Sequence, residues 1–109
     1  MQLNIKLNNK ENLLVDATLL KNTPIKCFAH RDVTNSYKGG TDAWLVSEFF
    51  SGLRITKGKR TRREAIEEAM MVFEEKGVDA IKEMVNERVA VNGFANKDGT
   101  QRKVERKLE

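Results

Sequence analysis

Residues 43–73, AWLVSEFFSGLRITKGKRTRREAIEEAMMVF, contain the passage from sheet to helix that decides the fold. Ala43 to Phe50 is rich in aromatic and β-branched residues, as a strand requires. Trp44, Val46 and Phe50 are expected on one face, with Leu45, Ser47 and Phe49 on the other. Ser51-Gly52 supplies a tight turn, and Leu53 to Lys57 is expected to return as a second strand with Leu53 and Ile55 on one face. The period then changes. Thr61 followed by Glu64 is a capping box, in which the hydroxyl accepts from the amide three residues on and the carboxylate reaches back. Ala65, Ile66, Ala69, Met70 and Phe73 recur at helical spacing. Gly77 stands where a left-handed carboxyl cap belongs, and Lys76 suits the last turn.

Toward the amino terminus, Leu3, Ile5 and Leu7 alternate with Gln2, Asn4 and Lys6, the period of a half-buried strand. Asn8 to Asn12 is a polar turn. Leu13 to Leu20 reads as a strand pairing back on the first, with a short helix as the alternative. Pro24 ends that element, and Ile25 to His30 reads as another strand. Residues 31–42 have no apolar periodicity and include Gly39-Gly40, so a loop is expected there, mobile at the glycine pair.

Beyond Gly77, Asp79 is expected to cap a second helix with Ile81, Met84, Val85 and Val89 toward the core, ended by Asn92-Gly93. The tail from Ala95 to Glu109 has one Val, one Leu and eight charges, a composition expected to be disordered. Its last two residues, Leu108-Glu109, resemble a cloning scar and do not enter the expected fold. The expectation is a single α+β domain over residues 1–94. An antiparallel sheet of four to five strands over residues 2–57 would be followed by two helices packed on one face. The stripe of Ile66, Met70 and Phe73 would cover Leu53, Ile55, Trp44 and Val46.

The length of 109 residues suits one domain. A hydrophobic fraction of 39% is too high for a fully disordered chain, and a mean hydropathy of −0.56 is too low for a membrane protein. The alternating start is no signal peptide, and one cysteine forms no internal disulfide, so the expected location is cytoplasmic. The net charge of +4 hides an asymmetry: residues 1–63 carry +7, residues 64–88 carry −5 and the remainder +2. Arg54, Lys57, Lys59, Arg60, Arg62 and Arg63 place six cations within ten residues, with no acid between Glu48 and Glu64. Such a cluster sets up a local positive field that suits nucleic-acid phosphates. Arg62 and Arg63 fall in the first helical turn, where cations oppose the helix dipole at a small cost, which a sequence selected for stability alone would avoid. The alternative is a turn enriched in basic residues for solubility.

Other chemistry finds less support. A zinc site wants about four ligands, and the chain has one Cys and one His. Cys27 and His30, three apart on a strand, point to opposite faces, which also breaks a nucleophile–base pairing. The carboxylate pairs Glu67/Glu68, Glu74/Glu75 and Glu83/Glu87 read as a solvated helix face. Lys57-Gly58-Lys59 lacks the offsets of a nucleotide-binding loop, though a strand end leading into a helix start has the physics of an anion site. Trp44, Phe49 and Phe50 can act as base-stacking platforms or as core. No cofactor and no catalytic residue is expected.

The stretch Trp44 to Phe73 resembles the carboxyl-terminal half of a double-stranded-RNA-binding domain. Trp44-Leu45-Val46, Lys57-Gly58-Lys59-Arg60-Thr61 and Arg62-Arg63-Glu64-Ala65 with Ala69 carry the likeness. It implies that Arg60, Arg62 and Arg63 touch phosphates across a groove. The strand-rich residues 11–30 offer no counterpart to that family's first helix. The Ser51-Gly52 turn and Thr61-Arg62-Arg63-Glu64-Ala65 are similar to the β-β-α module of HicB-like antitoxins, which implies a protein partner and often DNA. A further likeness is to three-stranded phage-integrase arm-binding domains. Size and composition resemble the small accessory proteins of phages and mobile elements. The function expected is therefore a non-enzymatic module that holds the DNA or RNA backbone through residues 54–63. The alternative is a protein–protein interaction or regulatory module that makes no nucleic-acid contact.

Overall fold

The computed structural model describes residues 1–7, 10–32 and 43–97. The Gly39-Gly40 loop and the chain from residue 98 onward lie outside them. Four strands, β1 (Gln2–Lys6), β2 (Asn12–Leu19), β3 (Cys27–Arg31) and β4 (Trp44–Glu48), precede two helices, α1 (Arg62–Lys76) and α2 (Val78–Asn92). The strands form one antiparallel sheet in the order β1-β2-β3-β4, so the chain is an α+β fold. Among the described residues, no helix is long and apolar enough to cross a membrane.

β2 serves two ladders in turn. Its residues 12–16 pair with β1, matching Leu3 to Val15 and Ile5 to Leu13, while Ala17, Thr18 and Leu19 pair with β3. The alternation at 2–6 and 12–19 decides which side chains are buried. Leu3, Ile5, Val15 and Ala17 form a buried cluster with Phe28 and Phe49. Phe28 lies on β3 and Phe49 just past the end of β4, so the β1–β2 hairpin packs its apolar face against the far half of the fold. A side-chain amide completes the closure. Asn96 Oδ1 accepts from Asn4 N at 2.8 Å, and its Nδ2 donates to Asn4 O and Phe49 O, each at 2.9 Å. Asn96 thus stands in for a strand neighbour on the open edge of β1 and ties it to the turn after β4. Ala95 is buried, and its amide donates to Phe50 O at 2.7 Å. The ordered fold therefore runs past residue 94, and composition misplaced these two residues in the tail.

The opposite face receives the helices. Cys27, Ala29 and Val46 of the sheet meet Ala65, Ala69 and Phe73 of α1 and Ile81 and Val85 of α2 in one cluster with Leu53. Ala65 and Ala69, both fully buried, let the α1 backbone approach the sheet closely. Ile66 packs beside this cluster as expected, but Met70 and Met84, each 41% exposed, lie outside it. The narrow alanine face brings α1 down on its Ala65–Ala69–Phe73 line and rotates Met70 outward.

The segment expected to return as a fifth strand does not form one. Residues 53–59 touch β4 at two isolated bridges, Ser47 with Arg54 and Trp44 with Lys59. Between these bridges the register slips by two residues, a bulge in which the Thr56 hydroxyl accepts the Val46 N–H at 3.0 Å. β4 ends at Glu48 because the chain turns at once. The buried Glu48 carboxylate accepts from Phe50 N at 2.7 Å and from Ser51 N and Ser51 Oγ, each at 2.6 Å. Phe50 consequently leaves the Trp44/Val46 face and packs edge-on against Phe49, ring centroids 5.0 Å apart. Gly52 closes the turn at φ +72°, where a Cβ would stand 2.9 Å from Lys6 N.

Thr61 caps α1 as the sequence indicates, accepting from Glu64 N at 3.1 Å, while its hydroxyl faces Glu64 Oε1 at 3.3 Å. Thr61→Ala is expected to cost about 1 kcal/mol, read as a lower urea midpoint at unchanged m-value. An unchanged midpoint would show that the cap carries no stability. Gly77, at φ +84°, ends α1 and starts α2 without a side-chain cap. Asp79 therefore lies one residue inside α2 rather than capping it, where its charge still suits the dipole.

Candidate nucleic-acid interface

The bridge between Trp44 and Lys59 organises the basic segment. Trp44 N donates to Lys59 O at 2.7 Å and Lys59 N to Trp44 O at 3.0 Å, which fixes Lys59 beside the strand. On the other side of Trp44, β3 places Arg31 directly opposite, its guanidinium carbon 4.7 Å from the indole centroid. A row of Arg31, Trp44 and Lys59 thus crosses the sheet on the helix-bearing face. Arg60, Arg62 and Arg63 follow Lys59 directly as the chain enters α1.

These cations differ in their engagements. Lys59 Nζ lies 3.2 Å from Glu68 Oε1, and Arg63 Nε lies 3.2 Å from Glu67 Oε1 one helical turn on. Lys57, Arg60 and Arg62 are exposed, and among the described residues none of their side chains makes an ion pair. Arg54 is set apart. It pairs with Ser47, whose hydroxyl faces the other side of the sheet, so Arg54 projects away from α1 and about 10 Å along β4 from the Trp44–Lys59 bridge. Five of the six sequence candidates follow one another along the passage into α1, Arg54 lies apart from them, and strand pairing sets Arg31 beside Trp44 and Lys59. The sequence hinted at Arg31: it continues the Cys27, Ala29 alternation, but the polar run after it had assigned it to the loop.

Trp44 is half-buried against the helix-side cluster and stacked by Arg31, so it supports the basic row more than it offers a free ring. Phe49 is buried, with Lys26 Nζ 4.1 Å from its centroid.

The nucleophilic and titratable groups serve the interior. Cys27 is fully buried, and burial, aided by the Glu48 charge, pushes its thiol up to about 12, which leaves it protonated and inert. Burial likewise raises the Glu48 carboxyl above its ordinary range, against the pull of its Ser51 and Phe50 donors. His30 Nδ1 donates to Arg31 O at 2.9 Å, which leaves Nε2 to accept the Ser47 hydroxyl at 2.8 Å. The hydroxyl–imidazole contact has the reach of a nucleophile and its base, but His30 is 1% and Ser47 2% exposed, so the pair is a core contact. Among the described residues, no three His, Cys, Asp or Glu side chains gather as metal ligands.

Burial lowers the His30 pKa below 6.5, opposed by the Arg31 carbonyl and Asp32 and reinforced by Arg54. The unfolded chain takes up a proton below about pH 6.5 where the folded chain resists it, so the His30 contribution to stability is constant above that pH and falls beneath it. The urea midpoint of the parent is expected to drop more between pH 7 and pH 5.5 than that of a His30→Gln variant, Glu48 being common to both. Parallel pH profiles would refute the assignment.

Comparison of the chain with protein-family models, with curated proteins and with solved structures finds no match. What the fold defines is a small α+β domain.

Proposed function

We propose that this domain is a nucleic-acid-binding module that holds backbone phosphates on the face formed by Arg31, Lys57, Lys59, Arg60, Arg62 and Arg63. The observation that carries this reading is the set of three exposed cations without ion pairs, Lys57, Arg60 and Arg62, beside the Arg31–Trp44–Lys59 row. Stability does not require this grouping: Arg62 opposes the α1 dipole and gains no acidic partner in exchange. Binding in this mode is electrostatic and independent of base sequence, and it suits a cytoplasmic location. No covalent chemistry is involved.

The test is a titration against single- and double-stranded DNA and RNA at two salt concentrations. Three engaged cations give log K against log salt a slope of about −3. Absence of binding at low salt would overturn the reading. It would promote a protein-interaction module docking on the helical layer, where Met70, Met71 and Met84 are 41%, 57% and 41% exposed.

A further inference from the structure

Two donors from the basic segment converge on one carboxylate. The Lys57 amide donates to Glu68 Oε2 at 3.2 Å, and Lys59 Nζ lies 3.2 Å from Glu68 Oε1. A main-chain N–H and an ammonium aimed at two oxygens of one anion are the donor types that hold a phosphate. The amide is aimed by the backbone: the Trp44–Lys59 bridge and the Val46–Ile55 hydrogen bond at 2.8 Å fix the chain on either side of Lys57. The acceptor is less firmly held. Glu68 projects from α1 with 27% of its side chain exposed, and Lys59 has 34% exposed, so solvent reaches the contact.

We propose that the Lys57 amide and the Lys59 ammonium form a phosphate subsite, which Glu68 fills in the unbound protein and yields to a backbone phosphate. The proposal rests on the nucleic-acid reading of this surface and names a seat within it. A phosphodiester carries the same single negative charge as the carboxylate, so the exchange leaves the charge beside Lys59 unchanged. The exposed, unpaired side chains of Lys57, Arg60 and Arg62 add the field that favours the longer polyanion over the tethered acid. A surface ion pair of this kind is worth little and is readily displaced. While it stands, Glu68 holds affinity below what the cations alone would give, because each binding event must release it.

Glu68→Gln separates the seat from its occupant. The amide oxygen still accepts from the Lys57 N–H, so the segment keeps its place, but Lys59 loses its counter-charge. The variant is expected to bind a short DNA duplex about fivefold more tightly than the parent, with a salt dependence steeper by about one unit. A parent that binds, with a folded Glu68→Gln variant that binds no better, overturns the subsite and leaves the nucleic-acid reading standing. Failure of both to bind at low salt overturns that reading and the subsite with it. Titration with inorganic pyrophosphate, followed by amide NMR, gives a readout without nucleic acid. The Lys57 amide of the variant should shift at lower pyrophosphate concentration than that of the parent, and a Lys57 amide unmoved in the variant would refute the seat.

Discussion

Lys57→Glu, Arg60→Glu and Arg62→Glu, made together, are expected to lower affinity for DNA and RNA by about 100-fold or more while leaving the fold intact. All three side chains are exposed and make no ion pair, so no buried charge is stranded by the change. Arg62 occupies the first turn of α1, where an acid suits the dipole better than the native cation, and the melting temperature should hold or rise slightly. Each neutral single substitution should instead weaken binding about equally for every sequence and reduce the salt slope by about one unit. Reversal of Arg88, exposed on α2 and remote in sequence from the basic segment, is the control and should change binding little. A folded triple variant that binds as well as the parent would eliminate the phosphate-holding face.

The features legible in the sequence were those that local physics enforces. Alternation at 2–6 marked β1, with Leu3 and Ile5 on the buried face, whereas the run from Leu13 to Leu20 left strand and short helix both open, and its pairing with β1 and β3 makes it a strand. Thr61 with Glu64 marked the start of α1 and Gly77 its end, since caps act within one turn. The misses were long-range. The slip opposite β4 depends on Thr56 reaching Val46, and the loss of Phe50 from its expected face depends on Glu48 gathering three donors in the turn. Neither has a periodic signature. The candidate site divides the same way: five cations adjoin in sequence, whereas Arg31 joins them only through strand pairing. Glu68 read as one more acid on a solvated face, and only the folded chain brings it to Lys57 and Lys59.

Truncation after Phe94 is expected to lower stability by about 3 kcal/mol, or the melting temperature by about 15 °C, relative to a chain ending at Lys97. The two chains differ by three residues, but those residues carry five hydrogen bonds. Besides the three made by the Asn96 amide and the bond from Ala95 N to Phe50 O, Asn4 Nδ2 donates to Ala95 O at 3.0 Å. They are partly buried, so their loss leaves Asn4 and Phe49 groups short of partners where water has limited access. The sheet suffers beyond the sum of those bonds. β1 pairs with β2 on one side, and its other edge meets Asn96 and the Gly52 turn. Without the clasp, that edge is open to pairing with other chains, so the shorter chain should also aggregate on heating. Asn96→Ala, which keeps Ala95 in place, should fall between the two. Equal melting temperatures for the two truncations would show that the clasp contributes nothing and that β1 is held by the Leu3 and Ile5 cluster alone.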